Sequence, residues 1–423
     1  MMGDRISLNS FAKGTKSAEN HRSIKYNNRA LILKILCTRG PVSRIDLSKM
    51  TGLSKMAVTN IINELAAKGF MKSSGRKDDT ATDPSSPGRK PVLLDINPDF
   101  ACAAGVYIGR DLCEISLCNL HGEIKASKAF TIAFDESSDS FEEKIVSGLK
   151  DILDAEIVKK NNILGIGVAS IGPLDIKNGI ILEPPNFHNL KGIPIKSLLE
   201  REFGLNTYVD NDMNASALAE KYYGKAVDIE NFIYVGVTNG IGAGIMASNV
   251  LYRGECGFSG EIGHATINFD GPKCSCGNIG CLELYASLPV IIDQARTAIE
   301  LGAKTSLSEV LSPGWRDIVM HAEKGDELCL KLIDKLCFYL SIGLTNIVNS
   351  FDPDVIFLGH DIALAGSLLT GKLASAVNQR MISSKYKNIK IETSKFINKA
   401  PVIGSCALVF EKLFNGEIAE DIL

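Results

Sequence analysis

The chain has 423 residues, of which 45% are hydrophobic and 22% are charged. At roughly 100–200 residues per domain, this length predicts two to four domains. Its 11 cysteines are an odd count and lie mostly alone in apolar segments, which indicates a reduced, cytoplasmic protein rather than a disulfide framework. No run of about 18 apolar residues occurs and residues 1–25 are polar, so we expect neither membrane insertion nor a secretory leader.

The charge is distributed unevenly along the chain. Residues 1–92 carry 17 lysines and arginines against 7 acidic residues, whereas the remainder carries 29 against 42. A basic N-terminal region on an acidic body indicates that this front end of the chain binds a polyanion. The alternative is a bias that serves only solubility, and charge alone does not separate the two.

The front end has the pattern of three short helices. Residues 1–22 are polar and are expected to form a flexible N-terminus. A helical period starts at Asn27 and stops before Gly40, and a short helix follows over Ser43–Met50. After a tight turn at Gly52, Ser54 is the expected cap of a third helix. Its apolar positions fall three and four residues apart, at Val58, Ile61, Ile62 and Leu65.

Three helices, a polar loop over residues 72–91 and a strand at Val92–Asn97 predict a winged helix-turn-helix, with its linker, over residues 23–92. The third helix then offers small polar side chains to base edges, and its start offers phosphate contacts. The predicted DNA-binding residues of this part are Arg44, Ser54, Lys55, Thr59 and Asn60. The alternative is a packing module with a solvated face, and the basic charge favours DNA.

The polar loop contains the sequence Pro87-Gly-Arg-Lys-Pro91. An extended, narrow segment of this kind can place Arg89 in a minor groove, with Lys90 beside it. The alternative is a plain interdomain linker, and the pentapeptide does not decide between the two.

Beyond Phe100 short apolar strands alternate with helices. Strands are predicted at Ala104–Ile108, Ile163–Val168, Phe232–Val237 and Asp354–Leu358, several of them ending at glycine-rich turns. This order predicts an α/β architecture, with ligands bound at the carboxyl ends of the strands.

A Gly-rich segment combines one imidazole with three thiols. His264 is followed by Cys274, Cys276 and Cys281, a set that suits a tetrahedral zinc ion in a closed, structural site. Three unrelated thiols are the alternative, but core packing rarely produces Cys-x-Cys-x4-Cys in a polar loop.

Carboxylates and an amide lie close to these segments. Asp210-Asn211-Asp212 precedes an alanine-rich helix, and Glu261 and Glu283 flank the cysteine loop. Asp212 has two interpretations: it is the helix N-cap, or it binds sugar hydroxyls and in a kinase would take a proton from the attacking hydroxyl.

Together these segments resemble the ROK family, which contains sugar kinases and sugar-responsive repressors. The resemblance rests on Asp210–Glu220 and on the run from Gly260 through Glu283. It implies zinc ligands at His264, Cys274, Cys276 and Cys281, and a catalytic-base position at Asp212, which here is vestigial. The sugar contacts that it implies are Asn186, Asn211, Asp212, Glu261, His264 and Glu283.

The resemblance also implies a ribonuclease H-like, actin-like body of two lobes, assembled as a homodimer or homotetramer. We expect a small lobe over 93–210 plus 400–423 and a large lobe over 211–399. The front end favours the repressor branch of the family, because family kinases generally lack a winged helix-turn-helix.

The nucleotide segments depart from the kinase pattern. Family kinases begin the body with a strand that ends Asp-x-Gly-Gly-Thr, and the matching stretch here is Tyr107-Ile-Gly109-Arg110-Asp111. The second phosphate loop has Asn239 in place of threonine, and the adenine-side turn reads Gly359-His360-Asp361. Bulky or acidic side chains at these places hinder phosphate approach, so ATP is not expected as a cofactor.

We therefore predict a repressor that binds double-stranded operator DNA and a sugar or sugar phosphate, without phosphorylating it. One alternative is an active sugar kinase with a DNA-binding appendage. Another is an interaction protein whose DNA affinity is set by a transport protein. The sequence leaves the sugar, the operator and the choice between inducer and co-repressor open.

Overall fold

The structure, a computed structural model, describes residues 21–72, 92–154, 163–185, 187 and 190–418. It divides into two compact units. One contains the chain up to Asn97 together with the residues from Glu411 onward, and the other is Pro98–Phe410. The lobe boundaries expected from the sequence stay predictions.

The first unit contains three helices and a small antiparallel strand pair. The helices are α1 (His21–Arg39), α2 (Arg44–Thr51) and α3 (Lys55–Ala67), and the strands are β1 (Val42–Ser43) and β2 (Leu93–Leu94). An isolated antiparallel bridge also joins Met71, after α3, to Ile96, after β2. The predicted winged helix-turn-helix is confirmed, with α1 starting earlier and β2 shorter than expected.

Local chemistry explains how α2 and α3 are delimited. The Ser43 hydroxyl accepts a hydrogen bond from the Asp46 backbone N–H (3.1 Å), and Ser54 does the same for Ala57 (3.2 Å). Both helices therefore start at side-chain N-caps. Gly52 has φ +71° and ends α2 in the left-handed region, where glycine is favoured over other residues.

The C-terminal residues of the chain also pack on α1. A methyl group at Gly416 would lie 2.8 Å from Asn27 Oδ1, so this glycine passes very close to the helix. The first unit is thus completed by residues from both ends of the chain.

The second unit contains two five-stranded sheets and a strand pair. The first sheet has the order β5-β4-β3-β6-β9 and the second has the order β12-β11-β10-β13-β14. Parallel pairing joins β3 to β6 and β6 to β9, and β10 to β13 and β13 to β14. The bounds of the strands are β3 (Cys102–Ile108), β4 (Leu112–Asn119), β5 (Ile124–Thr131), β6 (Ile163–Ser170), β7 (Leu174–Asp175), β8 (Ile180–Ile181), β9 (Thr207–Asn211), β10 (Phe232–Val237), β11 (Ile241–Ala247), β12 (Val250–Leu251), β13 (Val355–Gly359) and β14 (Lys390–Thr393).

Helices cover the sheets and bury their apolar faces. Each sheet contributes to its own apolar core, one with α4 and α5 and the other with α8 to α11. The bounds of the helices are α4 (Ser138–Leu153), α5 (Ile195–Phe203), α6 (Asp212–Tyr223), α7 (Glu283–Ala286), α8 (Leu288–Glu300), α9 (Trp315–Glu323), α10 (Glu327–Phe351), α11 (Ser367–Arg380) and α12 (Ala400–Phe414). Among the described helices, none combines the length and apolarity needed to span a bilayer.

Helix α6 lies between the two sheets. Every residue from Asp212 to Tyr223 is buried, and the helix contacts β6 and β9 of one sheet and β10, β11 and β12 of the other. The alanine-rich sequence fits this position, because small side chains let strands approach closely on more than one face. The N-terminus of α6 is therefore held where the two sheets meet.

Candidate functional site

A cavity of about 550 Å³ lies between the two sheets. It is lined by the start of α6, by Glu261 and His264, and by Glu283 at the start of α7. The turns after β3 and β10 also line it, together with Asp361, Asn398 and Lys399. Five of the six predicted sugar-binding residues thus meet in one cavity. The sixth, Asn186, lies outside the described residues.

The turn from β9 into α6 places Asn211 and Asp212. Asn211 Oδ1 and Asp212 Oδ1 both accept from the Met213 backbone N–H, at 2.9 and 3.0 Å. Asn211 is the N-cap, and Asp212 is the first helical residue. Of the two interpretations of Asp212, the simple N-cap is wrong, because the preceding asparagine takes that role.

A buried ion pair holds this turn in place. Asp210 Oδ2 accepts from Arg253 Nε at 2.6 Å, and Asp210 Oδ1 accepts from the Asn214 amide at 2.8 Å. Only 2% of the Asp210 side chain is exposed. A paired and fully hydrogen-bonded carboxylate is stable in such a place, so Asp210 has a structural role and leaves Asn211 and Asp212 to face the cavity.

Glu261 faces the same space from the other wall. A methyl group at Gly172 would lie 3.6 Å from Asn211 Nδ2 and 3.9 Å from Glu261 Oε1. The two polar groups therefore converge beside a glycine that leaves room for a ligand.

Burial changes the protonation of these carboxyl groups. Desolvation first, and then the nearby Glu261 charge, raise the pKa of Asp212 to about 7. Desolvation also raises the pKa of Glu261, an effect that His264 opposes and Glu283 reinforces. Asp212 therefore exchanges between hydrogen-bond donor and acceptor near neutral pH.

The predicted metal ligands form one compact group. The ligand atoms of His264, Cys274, Cys276 and Cys281 all lie within 4.8 Å of one another. The Cys276 and Cys281 sulfurs are 3.7 Å apart, as are Cys274 Sγ and His264 Nδ1. These separations are close to the roughly 3.5–3.8 Å between ligands of a tetrahedral ion with bonds of about 2.0–2.3 Å. The group can hold a metal ion.

Glu283 connects the metal group to the cavity. Its Oε1 lies 3.2 Å from Cys274 Sγ and 3.4 Å from His264 Nδ1. Its Oε2 would lie 3.6 Å from a methyl group at Gly240, in the turn after β10. An ion bound by His264 and the three cysteines would therefore fix the wall that carries Glu283 and His264.

Tyr107, Met213 and His360 line the cavity beside the segments that depart from the kinase pattern. The Tyr107 hydroxyl would lie 2.9 Å from a methyl group at Gly109, and Met213 Sδ would lie 2.3 Å from one at Gly236, in strand β10. Burial, and then the charges of Asp212 and Asp361, raise the pKa of Tyr107, so this phenol is neutral. Neither glycine could carry a larger side chain without displacing its neighbour.

His360 fills part of the same region. Its φ of +59° lies in the left-handed region, which costs a non-glycine residue about 1–2 kcal/mol. The ring is buried, with its centroid 6.0 Å from that of Tyr234 and Nε2 3.5 Å from Ser216 Oγ. Burial lowers the pKa of His360 to about 4, so the ring is neutral and offers no charge to a phosphate.

The residues predicted to bind DNA lie at the starts of α2 and α3. Ser54, Lys55 and Asn60 are exposed, and Thr59 is partly exposed with its hydroxyl donating to the Lys55 carbonyl (2.8 Å). Arg44 is half-buried, with Nε enclosed. The exposed face of α3 also presents Met56, which is 70% exposed. Arg89 and Lys90 lie outside the described residues.

Sequence reasoning missed Arg253 as the partner of Asp210. It also missed Glu114, whose two carboxylate oxygens accept from Lys399 Nζ at 2.7 and 2.9 Å at the cavity edge. Both pairs join residues far apart in sequence, and no local pattern marks them.

Comparisons with known proteins show which families match the body and the N-terminal region of this chain. The ROK family matches residues 103–412, and the MarR family matches residues 26–80. The xylose repressor of Caldicellulosiruptor bescii is 33% identical over 403 residues, which are 94% of this chain and 98% of that protein. The crystal structure of a ROK family transcriptional regulator, a homolog of the E. coli MLC protein, is 28% identical with a TM-score of 0.79, and the match covers 95% of this chain and 99% of that one.

The crystal structure of the ROK hexokinase from Thermus thermophilus is 26% identical with a TM-score of 0.60. The match covers 73% of this chain and 97% of the hexokinase chain. The two regulators therefore match nearly the whole chain, whereas the kinase leaves about a quarter of it unmatched.

We predict that Asp212→Asn stabilises the chain more at alkaline pH than at acid pH. A carboxyl whose pKa rises on folding contributes stability that is complete below about pH 4 and is lost as the pH rises towards 7. Asparagine resembles the protonated form, so the gain in unfolding free energy should be about 2 kcal/mol larger at pH 8 than at pH 5.

Urea unfolding of both proteins at the two pH values measures this difference. Asp135→Asn, at an exposed aspartate, is the matched control and should show no such trend. A difference between parent and Asp212→Asn that is the same at pH 5 and pH 8 would contradict the assigned environment of Asp212.

Proposed function

This chain belongs to the ROK family and is a sugar-responsive transcriptional repressor within it; we propose that its cavity binds the sugar without phosphorylating it. One observation carries the proposal. Hydroxyl-binding groups converge in the cavity, while the segments that a kinase uses for its nucleotide carry Tyr107 and the uncharged His360, which offer no positive charge to a phosphate.

Asn211, Asp212 and Glu261 are the proposed first contacts of the sugar. Each offers a planar polar group that bonds one or two hydroxyls, and each is held by backbone or by burial before the sugar arrives. Preorganised polar groups in a largely formed pocket give orientation and specificity. His264 and Glu283 complete the set from the wall beside the metal group.

The proposed DNA contacts come from the start of α3, with Ser54 and Lys55 on phosphates and Thr59 and Asn60 on base edges. Arg89 and Lys90 are proposed to follow the adjacent minor groove. Arg44 is proposed as a phosphate contact, because it is the basic residue with which α2 begins. A homodimer or homotetramer would present these helices in pairs to a two-fold operator.

Sugar binding is proposed to weaken operator binding by changing the arrangement of the lobes or subunits. Such a switch requires that the sugar bind the two states with different affinities. The proposed location is the cytoplasm, where free thiols and operator DNA coexist. We also propose a transport protein as an additional partner.

An active sugar kinase with a DNA-binding region is the second candidate. The raised pKa of Asp212, about 7, is the observation that favours it, since a general base works best near the ambient pH. Against it stand the buried Tyr107 phenol and the neutral His360 ring at the places where phosphate and nucleotide would bind.

Incubation with MgATP and a panel of hexoses, pentoses and amino sugars separates the two candidates. We expect one sugar to raise the thermal midpoint by several degrees whether or not MgATP is present, with ADP release no faster than in Asp212→Ala. The shift should disappear in Asp212→Ala, because the buried sugar contact is lost. Turnover in the parent that Asp212→Ala abolishes would establish the kinase instead.

The metal group is proposed to hold a structural zinc ion. Three thiolates and one imidazole prefer zinc and leave no open coordination position. Zinc would then stabilise the loop from His264 to Glu283 and hold His264 towards the sugar.

We expect about one zinc ion per chain in freshly purified protein, measured by plasma mass spectrometry. Cys276→Ser should lose the metal and unfold at a lower temperature, since it removes one of the four bonds that close the loop. Cys256→Ser, at an exposed cysteine outside the group, is the control. It should keep the zinc ion and unfold at the same temperature as the parent. Parent protein with far less than one zinc per chain would remove the proposal.

A further inference from the structure

The cavity is larger than one sugar ring needs. Its volume of about 550 Å³ lies within the range of pockets that enclose drug-sized ligands, whereas a single pyranose or furanose ring is a much smaller molecule. Asn211, Asp212 and Glu261, which are proposed to bind the first ring, account for only a small part of its lining. The remaining lining forms what we call the distal half, which comprises Arg110, Asp111, Asn239, Asp361, Asn398 and Lys399.

Hydrogen-bonding groups of both kinds line the distal half. Asp111, Asn239 and Asp361 are exposed to the cavity, as is Asn398, and Arg110 is half-buried. Carboxylates accept, the guanidinium donates and the amides do both. A surface that alternates donors and acceptors suits a ligand whose hydroxyls also do both, as those of a sugar do.

The balance of charge in the distal half is unfavourable to phosphate. Among the described residues that line the cavity, the lysine and arginine side chains are Arg110 and Lys399. Lys399 is engaged by Glu114, and Arg110 lies near the charges of Asp111 and Glu283. The distal half itself holds two carboxyl groups, at Asp111 and Asp361, against these two cations, and Glu114 and Glu283 add two more carboxyl groups beside them. A neutral ligand avoids repulsion by these carboxyl groups.

Asp361 is held firmly in this position. The indole N–H of the buried Trp315 donates to the Asp361 carbonyl oxygen at 2.8 Å. Asp361 also follows His360, which has a left-handed backbone conformation. The backbone of Asp361 is therefore fixed, and its side chain lines the cavity from a positioned element.

Tyr107 lines the cavity together with both sets of residues. The charges of Asp212, a proposed contact of the first ring, and of Asp361, in the distal half, both act on its phenol. A ligand that contacts both carboxyl groups therefore also lies near this aromatic side chain.

We propose that the distal half is a second sugar subsite, and that the effector is a disaccharide of neutral sugars. The first ring binds Asn211, Asp212 and Glu261, which rests on the proposed function. The second ring binds Asn239 and Asp361, with Arg110 across the cavity from them.

Isothermal titration calorimetry of the full-length protein tests the subsite with matched ligands. Xylose is compared with xylobiose, glucose with cellobiose and with maltose, and N-acetylglucosamine with chitobiose. We expect one disaccharide to bind at least tenfold more tightly than its own monosaccharide.

Variants then locate the second ring. Asp361→Ala and Asn239→Ala should each weaken the disaccharide at least fivefold and change the monosaccharide less than twofold. Both residues are exposed, so the variants should fold, and an unchanged thermal midpoint checks this. Asp212→Asn should weaken both ligands.

The outcomes separate this proposal from the function on which it rests. If monosaccharides bind and no disaccharide binds more tightly, the second subsite is wrong while the sugar-binding cavity stands. The same conclusion follows if Asp361→Ala and Asn239→Ala weaken monosaccharide and disaccharide equally. If the parent binds none of these sugars, both proposals fall.

Discussion

The ion pair between Arg253 and Asp210 fixes the point where the two sheets meet. It anchors the end of β9, and the buried helix α6 begins two residues later. Because α6 packs on both sheets, its first turn cannot move without disturbing two cores. Asn211 and Asp212 are consequently presented to the cavity in one arrangement. A buried carboxyl with a raised pKa costs stability at neutral pH, so a sugar-binding residue of this kind is held in place by the packing around it.

The cavity lining around Gly109 and Gly236 shows how a kinase-like body departs from kinase chemistry. Phosphate transfer requires close backbone approach and groups that neutralise developing charge. Here the Tyr107 phenol lies beside Gly109, and the Met213 thioether and the neutral His360 imidazole lie beside Gly236. His360 takes a left-handed conformation that glycine would adopt at no cost. None of these three side chains offers a positive charge to a phosphate, while polar groups remain around them in the cavity lining.

Much of the molecule could be predicted from the sequence because the signals are local. Helix periodicity with serine caps gave α2 and α3, and the spacing of three cysteines after His264 gave the metal group. Short apolar runs gave the main strands, since a buried parallel strand is apolar on both faces. The Asn211 cap and the Asp210–Arg253 pair were not predicted, because both depend on which side chain turns towards which partner. The sequence marked the segments of Arg110, Asn239 and Asp361 only as departures from a nucleotide site. That they line one cavity together with Asn398 and Lys399 depends on the fold, because these segments are far apart along the chain.

A sugar bound in this cavity is proposed to control operator binding. The most direct measurement is fluorescence anisotropy of a labelled duplex that the protein selects from a random DNA library, titrated with and without the sugar that binds it. The account predicts that the sugar weakens duplex binding at least tenfold in the parent, a coupling of about 1.4 kcal/mol, and less than twofold in Asp212→Asn, which still binds the duplex. Duplex affinity in the parent that is unchanged by a sugar shown to occupy the cavity would contradict it.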